Sequence, residues 1–202
     1  MTPPSQSLSR GALAMILASL AFAIMGACIQ VCAQTLPNGM VVFFRNASGL
    51  VFLSPILIRG GREVLKTTHL KEHIFRGVAG LSSMYCFFYA IAHLRLADAT
   101  LLNYTLPLFI PLVEALWLGE PMPARLGAPL LLGFLGVVVV LRPGSGIVTM
   151  AAVFGLLAGF LSAVAQTGVR RLTRTEPTVR IVIYFALMGS GLSALALPFV
   201  WV

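Results

Sequence analysis

ALAMILASLAFAIMGACIQVCAQTLPNGMVVFFRNASG, Ala12 to Gly49, has a second version 140 residues downstream: AVFGLLAGFLSAVAQTGVRRLTRTEPTVRIVIYFALMG, Ala152 to Gly189. Ala12, Ile16, Leu17, Ala18, Ala23, Pro37, Phe44 and Gly49 align with Ala152, Leu156, Leu157, Ala158, Ala163, Pro177, Tyr184 and Gly189. Each version is two apolar segments around one proline. The loop with Pro37, QTLPNG, carries no charge, whereas the loop with Pro177, VRRLTRTEPTVR, carries four arginines. Positively charged loops stay on the cytoplasmic side of a membrane. The two copies are therefore expected to cross it in opposite senses, and inverted repeats are a building plan of secondary transporters.

Working outward, the composition agrees with a lipid environment. The chain is 58% hydrophobic and only 10% charged, with a mean hydropathy of +0.95; a soluble domain carries about 25% charged residues. Seven apolar runs approach or reach the length needed to cross about 30 Å of hydrocarbon. They read as Gly11 to Ala33, Met40 to Ile58, Phe75 to Leu94, Ala97 to Leu118, Leu126 to Leu141, Val148 to Val169 and Ile181 to Val202. The expected fold class is all-α, a polytopic membrane helix bundle embedded in the lipid bilayer.

The net charge of +8 would suggest a nucleic-acid partner in a soluble protein. Here the distribution of the cations accounts for it. With the N-terminus inside, Arg10, Arg59, Arg62, Lys66, Lys71, Arg76, Arg125, Arg170, Arg171, Arg174 and Arg180 fall in cytoplasmic segments, and only Arg95 and Arg142 fall outside. The remaining cation, Arg45, lies within a span. The reverse orientation would place the large group on the wrong side.

A signal-peptide reading of the first run fails on length, and the run has a repeat partner at Ala152. Cys28, Cys32 and Cys86 follow no disulfide or metal pattern and are expected to be small packing residues. The first copy, residues 1–147, contains five spans and ends in the helix-breaking LRPGSG linker; the second, 148–202, contains two. A period of 140 implies a whole of about 280 residues, so the expectation is a second repeat lacking three helices.

Leu94 to Gly136 reads LRLADATLLNYTLPLFIPLVEALWLGEPMPARLGAPLLLGFLG, and Phe43 to Leu57 reads FFRNASGLVFLSPIL. The ADAT turn, the YTLP step, the LGE at the helix end and the glycine-rich run after it resemble an EamA-type member of the drug/metabolite transporter superfamily. Arg45 and Gly49 resemble that family's second helix. The resemblance implies ten helices in two inverted five-helix repeats, both termini cytoplasmic, and a central cavity for a small-molecule substrate, with export favoured over import. Glu114 departs from the pattern, which there has an apolar or small residue.

Helical angles identify the side chains that could line such a cavity. In the fourth span Thr100, Asn103, Pro107, Pro111 and Glu114 share an arc of about 80°. Pro107 cannot donate to the carbonyl of Asn103, nor Pro111 to that of Pro107, so backbone acceptors are released near mid-span. Inside a membrane such groups require protein or a wet cavity around them, and a broken helix at a substrate site supplies that. In the third span Ser82, Tyr85, Cys86, Tyr89 and His93 share about 100°; in the sixth Gly155, Gly159, Ser162 and Gln166 share about 60°. Tyr85, Tyr89, Asn103, Tyr104, Thr105, Pro107 and Gln166 are thus candidate substrate-binding residues. Arg45, about 9 Å below the outer end of its span, would bind a substrate carboxylate or snorkel to the surface. Glu114 is a candidate for proton coupling or an interfacial acid.

Other classes fit less well. HLKEH, His69 to His73, matches the H-x-x-E-H spacing of one zinc peptidase group, but it lies in a short basic stretch without a third ligand. Ser190 in MGSGLS has no histidine after it to act as base. There is no phosphate-binding loop for direct ATP drive, and no enzyme activity, cofactor, metal or nucleic-acid partner is expected. A homo-oligomer is left open, as is a non-transporting membrane protein that packs against partner helices.

Overall fold

The computed structural model describes residues 8–119, 122–141 and 150–200. Among these the chain folds as helices: α1 Leu8–Cys32, α2 Asn38–Leu65, α3 Leu70–His93, α4 Leu96–Asn103, α5 Leu106–Leu118, α6 Gly127–Leu141, α7 Met150–Leu172 and α8 Thr178–Val200, with a short 3-10 turn at Ala124–Leu126. Counting α4 and α5 as one interrupted span, six are long and apolar enough to cross a membrane. The predicted fifth span corresponds to α6, which is apolar but only 15 residues long, about 22 Å at 1.5 Å per residue. Its start is delayed to Gly127 by the 3-10 turn that carries Arg125. The LRPGSG linker beyond Leu141, with the boundary at 147, lies outside the described residues.

The largest contacts are α3 against α7 and α2 against α8, so the two copies pack on each other rather than side by side. Small residues make this close approach possible. Ala151, Ala152, Gly155, Ala158, Gly159 and Ala163 are buried along α7. A Cβ on Gly159 would collide with the Thr105 hydroxyl and stand 3.0 Å from the Leu102 carbonyl, so glycine lets α7 seat the junction of α4 and α5. Ile29, Val42, Leu81, Phe87, Phe88, Ile91 and Ala99 form the adjoining core. Outside it, Met15, Leu20, Val51, Leu116 and Leu131 are exposed large apolar side chains, which suits a surface that faces lipid.

The turns joining α1 to α2 and α7 to α8 have the same hydrogen bonds at the 140-residue offset. Leu36 N–H donates to Cys32 and Met40 N–H to Pro37; Glu176 N–H donates to Leu172 and Arg180 N–H to Pro177. They lie at opposite ends of α2. The first adjoins Asn38, where α2 begins, whereas the second meets the segment where α2 ends: Thr67 donates to Glu176 at 2.6 Å, and the Tyr184 hydroxyl donates to the Leu65 carbonyl at 2.6 Å.

Two sequence expectations change. Arg76, counted among the cytoplasmic cations at the very start of the predicted third span, lies about a turn and a half inside α3, which starts at Leu70 rather than Phe75; the polar LKEH segment forms its first turn although it lowers the local hydropathy. Cys86 is buried as expected, but Cys28 and Cys32 are exposed on α1 rather than packed. All three are free thiols.

Candidate functional site

A cavity of about 500 Å³ opens between α1, α2, α3, the α4–α5 junction, α7 and α8. Its α3 wall is a stripe at helical spacing, Arg76, Gly80, Ser83, Met84 and Phe87. α7 contributes Ser162, Ala165 and Gln166; α8 contributes Phe185, and α1 contributes Ser19, Phe22 and Met25. Arg45 enters from α2, and Asn103, Tyr104 and Leu106 from the interrupted span. Concave, mostly apolar space with a few polar groups is the usual form of a small-molecule site.

The interruption is built by its own sequence. α4 ends at Asn103 and α5 starts at Leu106, because Pro107 has no N–H for the Asn103 carbonyl and its ring crowds that turn. Thr105 fills the gap: its N–H and its hydroxyl both donate to the Leu102 carbonyl, at 3.2 and 2.6 Å. Ser83 donates to the Ala158 carbonyl at 2.9 Å and stands 2.7 Å from Ser162. With the Ser83 proton so placed, Ser162 donates to Ser83, and its 3.4 Å approach to the Asn103 side chain is a weak second contact. The Asn103 amide is left to face the cavity.

The structure brings together four of the predicted site residues, Arg45, Asn103, Tyr104 and Gln166. It does not bring Tyr85, Tyr89, Thr105 or Pro107 to the lining. Tyr85 lies about 100° around α3 from Met84, with its phenol oxygen buried and without a hydrogen-bond partner. Tyr89 packs against Phe154 and His93, with ring centroids 4.9 and 4.2 Å away. Thr105 is buried and its hydroxyl is spent on the backbone; Pro107 acts through the backbone too. Glu114 lies outside the cavity, paired with Arg170.

Arg76, Ser83, Phe87 and Phe185 are lining residues that sequence reasoning missed. The signal was the 76–80–83–87 stripe, hidden because Arg76, the second residue of the predicted third span, was counted with the cytoplasmic cations. The guanidinium of Arg76 stands 4.2 Å from the centre of the Phe185 ring, a cation–π distance, and its Nε and Nη1 are buried without hydrogen-bond partners. The HLKEH side chains have partners of other kinds: His73 stacks on Tyr184 at 4.4 Å, and Glu72 pairs with Arg171 at 3.2 Å.

This bundle and cavity agree with the outcome of sequence comparison, in which the EamA-like transporter family matches residues 9–142. The chain belongs to the EamA-like transporter family. It is a multi-pass protein of the cell membrane, and its relatives are transporters rather than enzymes. It is 35% identical over 195 residues to the pseudopaline exporter CntI of Pseudomonas aeruginosa, covering 96% of this chain and 67% of that protein. It is 28% identical over 160 residues to a riboflavin transporter of Brucella anthropi, covering 79% and 56%. An S-adenosylmethionine uptake transporter of Rickettsia bellii is 24% identical over 161 residues, covering 80% and 55%. This EamA-like chain thus spans between about half and two thirds of the length of these relatives. A solved crystal structure superposes with a TM-score of 0.65 at 24% identity, over 96% of this chain and 68% of that one, a likeness of fold.

Proposed function

We propose that this EamA-like protein is a secondary transporter of small organic metabolites across the cytoplasmic membrane, working in export by alternating access between two inverted halves. The observation that carries the reading is the cavity itself: both copies line it, and it lies at the interruption between α4 and α5. Interrupted helices around a mid-membrane site recur in secondary transporters. Turns with the same hydrogen bonds at opposite ends of α2 support the inversion. Asn103, Gln166 and Tyr104 supply hydrogen bonds and a stacking face, and Arg45 biases the site toward carboxylates. The exporter and uptake transporters among its relatives, acting on different metabolites, support the class of activity; the direction rests on the likeness to the exporter.

Glu114 belongs to the contacts that close the cytoplasmic end. It pairs with Arg170, next to the Glu72–Arg171 pair, so copy one is tied to copy two there by two ion pairs.

The test is a metabolite comparison between cells that make the protein and cells that make Arg45→Ala. The expected result is at least one organic anion enriched in the medium of the first and not of the second, with equal amounts of both proteins in the membrane fraction. Indistinguishable metabolite profiles would overturn the reading.

A further inference from the structure

Arg45 and Arg76 line the same cavity, and no carboxylate of the protein serves either of them among the described residues. Glu72 is held by Arg171 and His69, Asp98 by Arg95, Glu114 by Arg170, and Glu176 by Thr67 and Arg180. Arg45 reaches the neutral amide of Asn46, at 3.4 Å. Arg76 has the Phe185 ring beside it, and its buried Nε and Nη1 donate to no group of the protein. A guanidinium within a membrane is costly and is normally matched by a partner. Two of them in one space, both without an acid, call for an acid that arrives with the ligand.

Their placement restricts that acid. α2 and α3 run in opposite directions: the end of α2 and the start of α3 meet at Tyr184, whose hydroxyl donates to the Leu65 carbonyl and whose ring stacks on His73. At the other end of α2, the side-chain amide of Asn38 donates to the Tyr85 carbonyl at 3.0 Å. From that shared level Arg45 lies seven residues along α2 and Arg76 nine residues back along α3, about 10 and about 13 Å in the same direction at 1.5 Å per residue. The two backbones therefore stand within about 3 Å of one level. Their heads meet in one layer too. Nη1 of Arg45 is beside Asn46, whose amide nitrogen is 3.5 Å from the Met84 sulfur and whose oxygen would lie 2.6 Å from a methyl on Gly189. Arg76 lies over Phe185, one turn before Gly189, and that ring would stand 2.9 Å from a methyl on Gly80, one turn before Met84. The two guanidiniums thus belong to adjacent turns of α3 and α8, about 6 Å apart along those helices.

We propose that the cavity selects an organic acid whose two carboxylates sit together at one end, gripped jointly by Arg45 and Arg76, with an apolar or aromatic body lying further along α3. Each guanidinium presents paired N–H donors that match one carboxylate, and heads a single turn apart suit two carboxylates on the same or neighbouring carbons rather than at the two ends of a molecule. Beyond this charged layer the lining is Met25, Phe22, Phe87 and Phe88, with the Phe22 and Phe87 rings stacked at 6.2 Å, a surface for the body of the ligand. The proposal rests on the transporter reading of the same cavity and deepens it: Arg76 becomes a second binding residue that sets the charge of the substrate and where on the molecule that charge must lie.

The experiment measures binding to the purified full chain in detergent at about pH 8, where carboxyl groups are ionised. The probes are benzylmalonate, with both carboxylates on one carbon; its isomer 4-carboxyhydrocinnamate, with the two at opposite ends of the ring; and hydrocinnamate, with one. Benzylmalonate should bind at least about tenfold more tightly than either of the others, the worth of one charge-assisted hydrogen-bonded group. Arg45→Gln and Arg76→Gln should each bring it to within about threefold of hydrocinnamate, and Arg76→Lys should restore part of the preference. Equal binding of benzylmalonate and its isomer, or of benzylmalonate and hydrocinnamate, would overturn the paired site while leaving the transporter reading standing, as would an undiminished preference in Arg76→Gln. Failure of every carboxylate to bind would overturn both this proposal and the carboxylate role of Arg45. The comparison among the three acids on the unaltered chain decides the matter even where a variant does not fold.

Discussion

Gly49 and Gly189 hold the same place in the two copies, yet a methyl group added to each meets different surroundings. At Gly189 it would stand 2.6 Å from the side-chain oxygen of Asn46, a buried residue whose amide donates to the Val42 carbonyl at 2.9 Å; at Gly49 nothing lies within 4 Å. Gly189→Ala should therefore lower stability by about 1–3 kcal/mol through overpacking of the α2–α8 contact. Gly49→Ala should be neutral or stabilising by up to about 1 kcal/mol, since glycine inside a helix is the less favourable residue. Thermal unfolding of the two variants in detergent checks this, and equal shifts would count against the packing given for α2 on α8. A second residue-scale expectation concerns Glu176, outside the spans. Burial alone would raise its pKa, but the hydrogen bonds from Thr67 and Arg180 and the charge of Arg180 outweigh that and hold it below its ordinary value of 4.5. A carboxyl with a depressed folded-state pKa adds stability that is complete above its unfolded value and is lost as pH falls through the folded one. The stability gap between the unaltered protein and Glu176→Gln should be constant from neutral pH down to about 5 and shrink below about 4.5; a gap independent of pH down to 3 would contradict the ion pair.

At the scale of elements, the interruption between α4 and α5 is the feature most directly written in the sequence. Two prolines four apart predicted released carbonyls, and the break appears where the first of them, Pro107, denies a donor to Asn103. Pro107→Ala should return that donor and let the span close across Tyr104 and Thr105, so amide exchange at Thr105–Leu108 should slow while the helices on either side keep their rates. Unchanged exchange would mean that the hold of the Thr105 hydroxyl on Leu102, rather than the proline, makes the break. The face of α3 was harder to read. Its two stripes, Ser82–Tyr85–Tyr89 and Arg76–Gly80–Ser83–Phe87, both have helical spacing. α3 is packed against α1, α2, α4, α7 and α8, so an amphipathic pattern cannot say which neighbour leaves a void. Hydropathy also cut the helix short, because LKEH reads as loop until Glu72 and His73 are seen to find Arg171 and Tyr184 on the other copy. Residues whose burial depends on a partner distant in sequence carry no local mark of it. That is why Arg76, at the edge of the predicted span, was counted with the cytoplasmic cations although Arg45, flanked on both sides by apolar sequence, was legible from the start.

For the whole molecule, the inversion of the two copies is what makes alternating access geometrically available, and it can be tested at one pair of matched residues. Thr35 and Thr175 are 140 positions apart and occupy the same place in the same turn. Both are exposed, and each hydroxyl donates to the carbonyl three residues earlier, Cys32 or Leu172, at 3.3 Å. Their local chemistry is so alike that a difference in labelling can arise only from the side of the membrane on which they lie. In a background with Cys28, Cys32 and Cys86 replaced by alanine, Thr35→Cys should react with a membrane-impermeant maleimide in intact cells, whereas Thr175→Cys should react only after permeabilisation. Labelling of both from one side would make the copies parallel, and it would require the short α6 not to cross the membrane, since the sense of α7 depends on whether the crossings before it are odd or even in number. The contacts of Glu176 and Tyr184 with the end of α2 already draw the second turn away from the first. A 15-residue α6 must then tilt little or thin the bilayer around it to complete the fifth crossing. If it does, the two ion pairs and the Thr67–Glu176 bond all close the cytoplasmic mouth, and opening toward the cytoplasm would require breaking them together. Thr175→Cys should then label faster from the inside in Glu72→Gln than in the unaltered background, because one of the contacts that hold that mouth shut is gone.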